Sequence, residues 1–233
     1  MNGIPPPPNR VSEMNSIVLD RVIPEVFASE PPAGSEVWLK DVRFEKGETV
    51  LVEARSGAGK TSLASFIMGL RSDYRGRILF DGEDARSFSV DGRAELRRLH
   101  LAYLPQNLDL FPDLTAADNI SVKRVLTEGD KAPDGYRPVP VDDFARRLGI
   151  LPYLDRPAGK LSVGQMQRVA ILRALAQPFD FLILDEPVSH LDAANNRAAA
   201  ELVAETARRL GAGVIVLSVG NRLELGYDRV LRL

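Results

Sequence analysis

Ala54-Arg55-Ser56-Gly57-Ala58-Gly59-Lys60-Thr61-Ser62 is the stretch that decides the fold. The residues before it, Thr49-Val50-Leu51-Val52-Glu53-Ala54, form a short, mostly apolar run that reads as a strand. The residues after it, through Met68, have a helical composition. A glycine-rich turn between a strand and a helix is the setting of a phosphate-binding loop. Glycines let backbone N–H groups turn inward onto phosphate oxygens, and the helix N-terminus adds partial positive charge. In that arrangement Lys60 reaches the terminal phosphates and the Thr61 hydroxyl ligates Mg²⁺.

Working outward, residues 17–22 and 37–44 read as strands, with a Pro-Pro-Ala-Gly turn between them. Residues 77–80 and 99–104 are further strands. Residues 126–141 are rich in Pro, Gly and charge and read as a loop, followed by a helix over 142–148. Residues 164–176 and 195–210 read as helices, the second stopped by Gly211. Two strands, 214–217 and 229–233, close the chain. Strands alternating with helices imply an α/β fold with a mostly parallel core sheet.

Phe181-Leu182-Ile183-Leu184-Asp185-Glu186 is a buried-strand pattern ending in two carboxylates. Acids at the C-terminal end of such a strand lie where open α/β sheets bind ligands. Asp185 there would hold Mg²⁺, and Glu186 would polarise an attacking water.

Leu161-Ser162-Val163-Gly164-Gln165, followed by Met166-Gln167-Arg168, resembles the signature of the ATP-binding-cassette family, Leu-Ser-Gly-Gly-Gln, except at Val163. Glu186-Pro187 and Ser189-His190-Leu191-Asp192 look like the end of that family's Walker B segment and its D-loop. Leu104-Pro105-Gln106-Asn107 resembles the Q-loop, and Phe27 matches the aromatic residue that stacks on adenine. The resemblance runs from about residue 17 to the last residue.

It implies a P-loop NTPase with an N-terminal antiparallel β-subdomain and a helical signature subdomain over about 107–176. The cassette would fill residues 15–233, behind a flexible proline-rich segment over 1–14. ATP and Mg²⁺ are the implied ligands, with Thr61, Gln106 and Asp185 on the metal and Glu186, Gln106 and Lys60 catalytic. Nucleotide contacts fall on Phe27, on 54–62 (Ala54, Arg55, Ser56, Gly57, Ala58, Gly59, Lys60, Thr61, Ser62), and on Ser162, Val163, Gly164 and Gln165. Ser162 stands where a helix N-cap would stand. In the family, its anion site closes on the γ-phosphate held by a second subunit, so a homodimer or a paired cassette is expected. The compact cassettes of lipoprotein-release, macrolide-export and cell-division systems resemble this chain most.

Three departures stand out. Ala54 and Val163 replace glycines of the family pattern. Val219, in Leu217-Ser218-Val219-Gly220, takes the place of the family's γ-phosphate-contacting histidine. The two histidines of the chain, His100 and His190, fall elsewhere. A cassette with weak or absent hydrolysis, acting as a nucleotide-gated regulatory or structural module, is the alternative that Val219 raises.

Composition excludes other classes. With no cysteine there is no disulfide scaffold. Thirty basic residues face 32 acidic ones, a net charge of -2, which argues against a nucleic-acid binder working by bulk charge. No apolar run approaches the roughly 18–20 residues that cross a bilayer. The expectation is a cytoplasmic, peripheral subunit docked on a separate transmembrane permease, without inserting in the membrane itself. Leu108, Leu110, Phe111 and Leu114 are candidates for the groove that receives it.

Overall fold

The computed structural model describes residues 13–125 and 136–233. Five strands form one parallel sheet: β3 (Thr49–Glu53), β6 (Leu101–Leu104), β7 (Phe181–Asp185), β8 (Gly213–Ser218) and β9 (Arg229–Arg232). Their order is β6-β7-β8-β3-β9. Every residue of β7 and β8 is buried, because helices cover both faces of a parallel sheet. The parallel order sends the strand that precedes the glycine loop, the strand that ends in Asp185, and the strand that leads to Val219 out of the same edge. That shared edge is where the site forms.

A second, antiparallel sheet has the order β2-β1-β4-β5. It comprises β1 (Ser16–Pro24), β2 (Asp41–Glu45), β4 (Tyr74–Phe80) and β5 (Glu83–Asp84). Helix α1 (Lys60–Ile67) lies between the sheets: its Leu63, Ala64, Phe66 and Ile67 join a core built from Ile17, Leu19, Val52 and Ile78. Helix α2 (Val90–Leu99) leads into β6. Helices α3 (Ala116–Val125) and α4 (Val141–Arg147) pack on α5 (Val163–Leu175), and α6 (Ala193–Leu210) precedes β8.

Four sequence expectations are corrected. Residues 37–40 form a turn, not strand, because Ser35 Oγ accepts from the Val37 and Trp38 amides and draws the chain round. Met14, expected in the lead-in, is fully buried, and its amide donates to Asp180 Oδ2 at 2.7 Å. Helices α2 and α3 were not expected. In α2 only Leu96 is buried, and α3 turns a buried Asn119 inward, so neither shows a 3.6-residue apolar period. Residues 1–12 and 126–135, read as lead-in and loop, lie outside the described residues.

Candidate nucleotide site

The glycine loop closes on itself through Ala58 N to Arg55 O, and Gly59 opens α1 at φ +96°. Gly57 is also left-handed, at φ +80°. Ala54 keeps a negative φ, so its methyl group costs the loop no strain. A Cβ on Gly59 would stand 3.1 Å from both the Phe27 and the Trp38 rings, so this position demands glycine twice over. Trp38 Nε1 donates to Ala58 O at 3.0 Å. The first amides of α1 have no intrahelical acceptor and face outward from the helix end.

Lys60 is buried, and its Nζ lies 3.4 Å from Glu186 Oε1. Thr61 Oγ1 is 2.8 Å from Asp185 Oδ2 and 3.3 Å from Gln106 Oε1. Asp185 Oδ1 is buried without a hydrogen-bond partner. Burial pushes the Asp185 carboxyl above the usual carboxylate range, although the Thr61 hydrogen bond and the Lys60 charge pull the other way. Three hard oxygen donors on three chain segments, one of them an orphaned buried carboxylate oxygen, suit Mg²⁺, which takes few protein ligands and completes its shell with phosphate and water.

Glu186 sits at φ +53°, a left-handed conformation that costs about 1–2 kcal/mol for a residue with a Cβ. Bonds on both sides hold it there. Its amide donates to Leu217 O at 2.9 Å. Its carbonyl accepts from Gln167 Nε2 at 3.2 Å, and the same nitrogen donates to Pro187 O at 2.8 Å. Gln167 belongs to α5 and is 1% exposed. Its Oε1 lies 3.1 Å from His190 Nδ1.

Helix α5 opens on Ser162. Ser162 Oγ accepts from the Gln165 amide at 3.3 Å, and the Ser162 amide donates to Gln165 Oε1 at 2.9 Å, a capping box. Val163 is 46% exposed at the first helical position. A Cβ on Gly164 would come within 3.0 Å of His190 O, so glycine is needed for the close approach of the two segments. Farther along α5, the buried Arg173 donates to the carbonyls of Leu108 and Asp109, both left-handed residues just after Gln106. Among the described residues, no hydrogen bond or ion pair joins 162–165 to the glycine loop.

The ABC transporter family model matches residues 40–189, more than half of the chain. The chain belongs to the ABC transporter family. It is an ATP-binding subunit of the type found in ABC transport systems. It is 33% identical over 193 residues to the lipoprotein-releasing system ATP-binding protein LolD of Novosphingobium aromaticivorans, covering 83% of this chain and 85% of that one. It is 42% identical over 159 residues to the molybdate/tungstate import ATP-binding protein WtpC of Thermococcus kodakarensis, of which it spans 46%. Its fold matches the dimeric structure of MJ0796, a bacterial ABC transporter cassette, with TM-score 0.71 at 23% identity and 87% of each chain covered.

The structure of this ATP-binding subunit brings Lys60, Thr61, Gln106, Asp185 and Glu186 into one cluster. Phe27 lies against the loop at Gly59. Ser162, Val163, Gly164 and Gln165 stand apart at the start of α5. Val219 follows β8 on the same sheet edge as Glu186 and is 46% exposed. Of the four apolar residues named for a groove, Leu108 is core and Leu110 packs on the core, while Phe111 and Leu114 are exposed. Trp38, Gln167 and Arg173 were missed as site-supporting residues. Each acts on a backbone carbonyl far away in sequence, and no local pattern encodes that.

Proposed function

We propose that this subunit hydrolyses ATP and, closing with a second cassette around two nucleotides, drives a separate permease from the cytoplasmic face of the membrane. The convergence of Lys60, Thr61, Gln106, Asp185 and Glu186 on the C-terminal edge of the parallel sheet carries this reading.

Lys60 and Glu186 neutralise each other across 3.4 Å. A polyphosphate on the loop competes for Lys60 and frees the Glu186 carboxylate to accept a proton from water. General-base assistance of this kind is worth about 10²–10⁴ in rate. Thr61, Gln106 and Asp185 would hold Mg²⁺, which offsets charge on the phosphate oxygens. Gln106 then occupies one wall of the reacting centre, and Arg173 ties its loop to α5. A displacement of Gln106 is thereby passed to the helix that carries the signature residues at its other end.

The separation of 162–165 from the loop within one chain supports a sandwich in which each signature segment closes the partner's site. Phe111 and Leu114, exposed just beyond the Gln106 loop, fit a short permease helix. No helix among the described residues is long and apolar enough to cross a membrane. Val219 offers no hydrogen bond to phosphate and slows turnover.

Steady-state release of phosphate by the purified chain, beside Glu186→Gln, tests the reading. Mg²⁺-dependent turnover that drops at least 100-fold in the variant supports it. Turnover that survives the substitution, or that is missing with intact nucleotide binding and an added permease, overturns it.

A further inference from the structure

We infer that Trp38 is a positioning residue for nucleotide: it fixes the Ala58–Gly59 peptide so that the Gly59 N–H faces the phosphate side of the loop. The Trp38 side chain lies beneath the loop, 2% exposed, and its Nε1–H donates to Ala58 O at 3.0 Å. In a trans peptide the C=O and N–H point in opposite directions, and no cis bond occurs among the described residues. Anchoring the carbonyl downward on the indole therefore turns the Gly59 amide upward, to the open side. Ala58 O is not spent on the first helical turn; that turn begins with Leu63 N donating to Gly59 O at 2.9 Å.

The anchor matters because of what it restrains. Gly57 and Gly59 stand on either side of Ala58, both at positive φ, and glycine lets an adjoining peptide plane reorient at little steric cost. An untethered loop would lose that freedom when phosphate binds, which weakens binding. Trp38 is itself held: its amide donates to Ser35 Oγ at 2.8 Å, and its ring edge reaches within 3.1 Å of the Cβ direction of Gly59. A hydrogen bond to the carbonyl also polarises the peptide and strengthens its N–H as a donor. Trp38 touches no substrate; it acts through the loop backbone.

The inference rests on the phosphate-loop reading of 54–61, and the test separates the two. Calorimetric titration of the full chain with Mg·ADP and Mg·ATP is compared between wild type and Trp38→Phe, which keeps an aromatic ring and removes the donor. The expected result is a Kd raised about fivefold for both nucleotides, the factor carried by about 1 kcal/mol of lost hydrogen bonding. The loss in kcat/KM is carried by KM. A Kd within twofold of wild type overturns the inference alone. A wild-type chain that binds neither nucleotide overturns the loop reading and the inference with it.

Discussion

Gln167→Met probes the link between the signature helix and Glu186, the proposed general base. Methionine keeps the length of the side chain and removes its donor, together with the Oε1 acceptor that faces Ser189 Oγ and His190 Nδ1. Gln167 Nε2 serves the carbonyls of Glu186 and Pro187, at 3.2 and 2.8 Å, from a position 1% exposed. Glu186 O retains the Ser189 hydroxyl at 3.3 Å. Pro187 O loses the donor supplied by Gln167, and an abandoned buried acceptor costs about 1–3 kcal/mol. The larger consequence falls on Glu186. Its φ of +53° is held against a cost of about 1–2 kcal/mol by bonds on both sides, and the variant removes one of them. A carboxylate displaced by about 1 Å loses up to about 100-fold in rate. Among the described residues, no hydrogen bond joins Lys60 or Thr61 to Gln167, so nucleotide affinity should stay within about twofold of wild type. The assay is kcat and KM for ATP alongside urea denaturation of the same preparation. Loss of 10-fold or more in kcat with KM unchanged is the predicted outcome. A urea midpoint lowered as expected with kcat intact would show that Gln167 supports only the fold.

Asp180 provides a pH-dependent test. Burial raises its pKa, but hydrogen bonds from His100, Lys46 and the Met14 amide outweigh that and hold the carboxyl below the ordinary value of 3.8. A depressed carboxylate pKa stabilises the fold above the unfolded value, and the contribution is lost as pH falls through the folded pKa. Asp180→Asn should cost about 2–3 kcal/mol at neutral pH, with the gap to wild type closing below pH 3.8, as read from urea melts at each pH. Val219→His should speed phosphate release by about 10-fold or more, since the position is half exposed beside the catalytic edge and an imidazole can be seated there. An unchanged rate would remove position 219 from the reaction.

How much of this was legible in the sequence follows from how local each signal is. The glycine loop, the apolar strand ending in Asp185-Glu186 and the Ser162 cap are each written within a few consecutive residues, and, the left-handed Glu186 apart, each takes the conformation those residues favour. The parallel sheet then brings Thr61 to Asp185, 124 positions apart, without further instruction. The place of Gln106 beside Thr61 was reached through family resemblance, because a lone glutamine in a loop carries no chemistry of its own. Helix α3 hid because its inward face includes Asn119, which is satisfied by the carbonyls of Phe111, Leu114 and Thr115 and so counts as core without being apolar. Trp38 read as a strand residue. Its role depends on a turn that Ser35 imposes and on a carbonyl 20 residues away. Arg173 looked like one more charge on a helix, yet it caps two left-handed loop residues 64 and 65 positions upstream.

Among the described residues, the phosphate loop and the signature segment share no hydrogen bond or ion pair within one chain, and the proposed sandwich has them meet across two. The most direct test is the solution mass of Glu186→Gln with Mg·ATP, with Mg·ADP and without nucleotide, since a chain that binds without hydrolysing should hold the closed form. A doubled mass with ATP alone and a single-chain mass in the other two conditions are expected. Saturating ATP that leaves the mass unchanged would contradict the proposed sandwich.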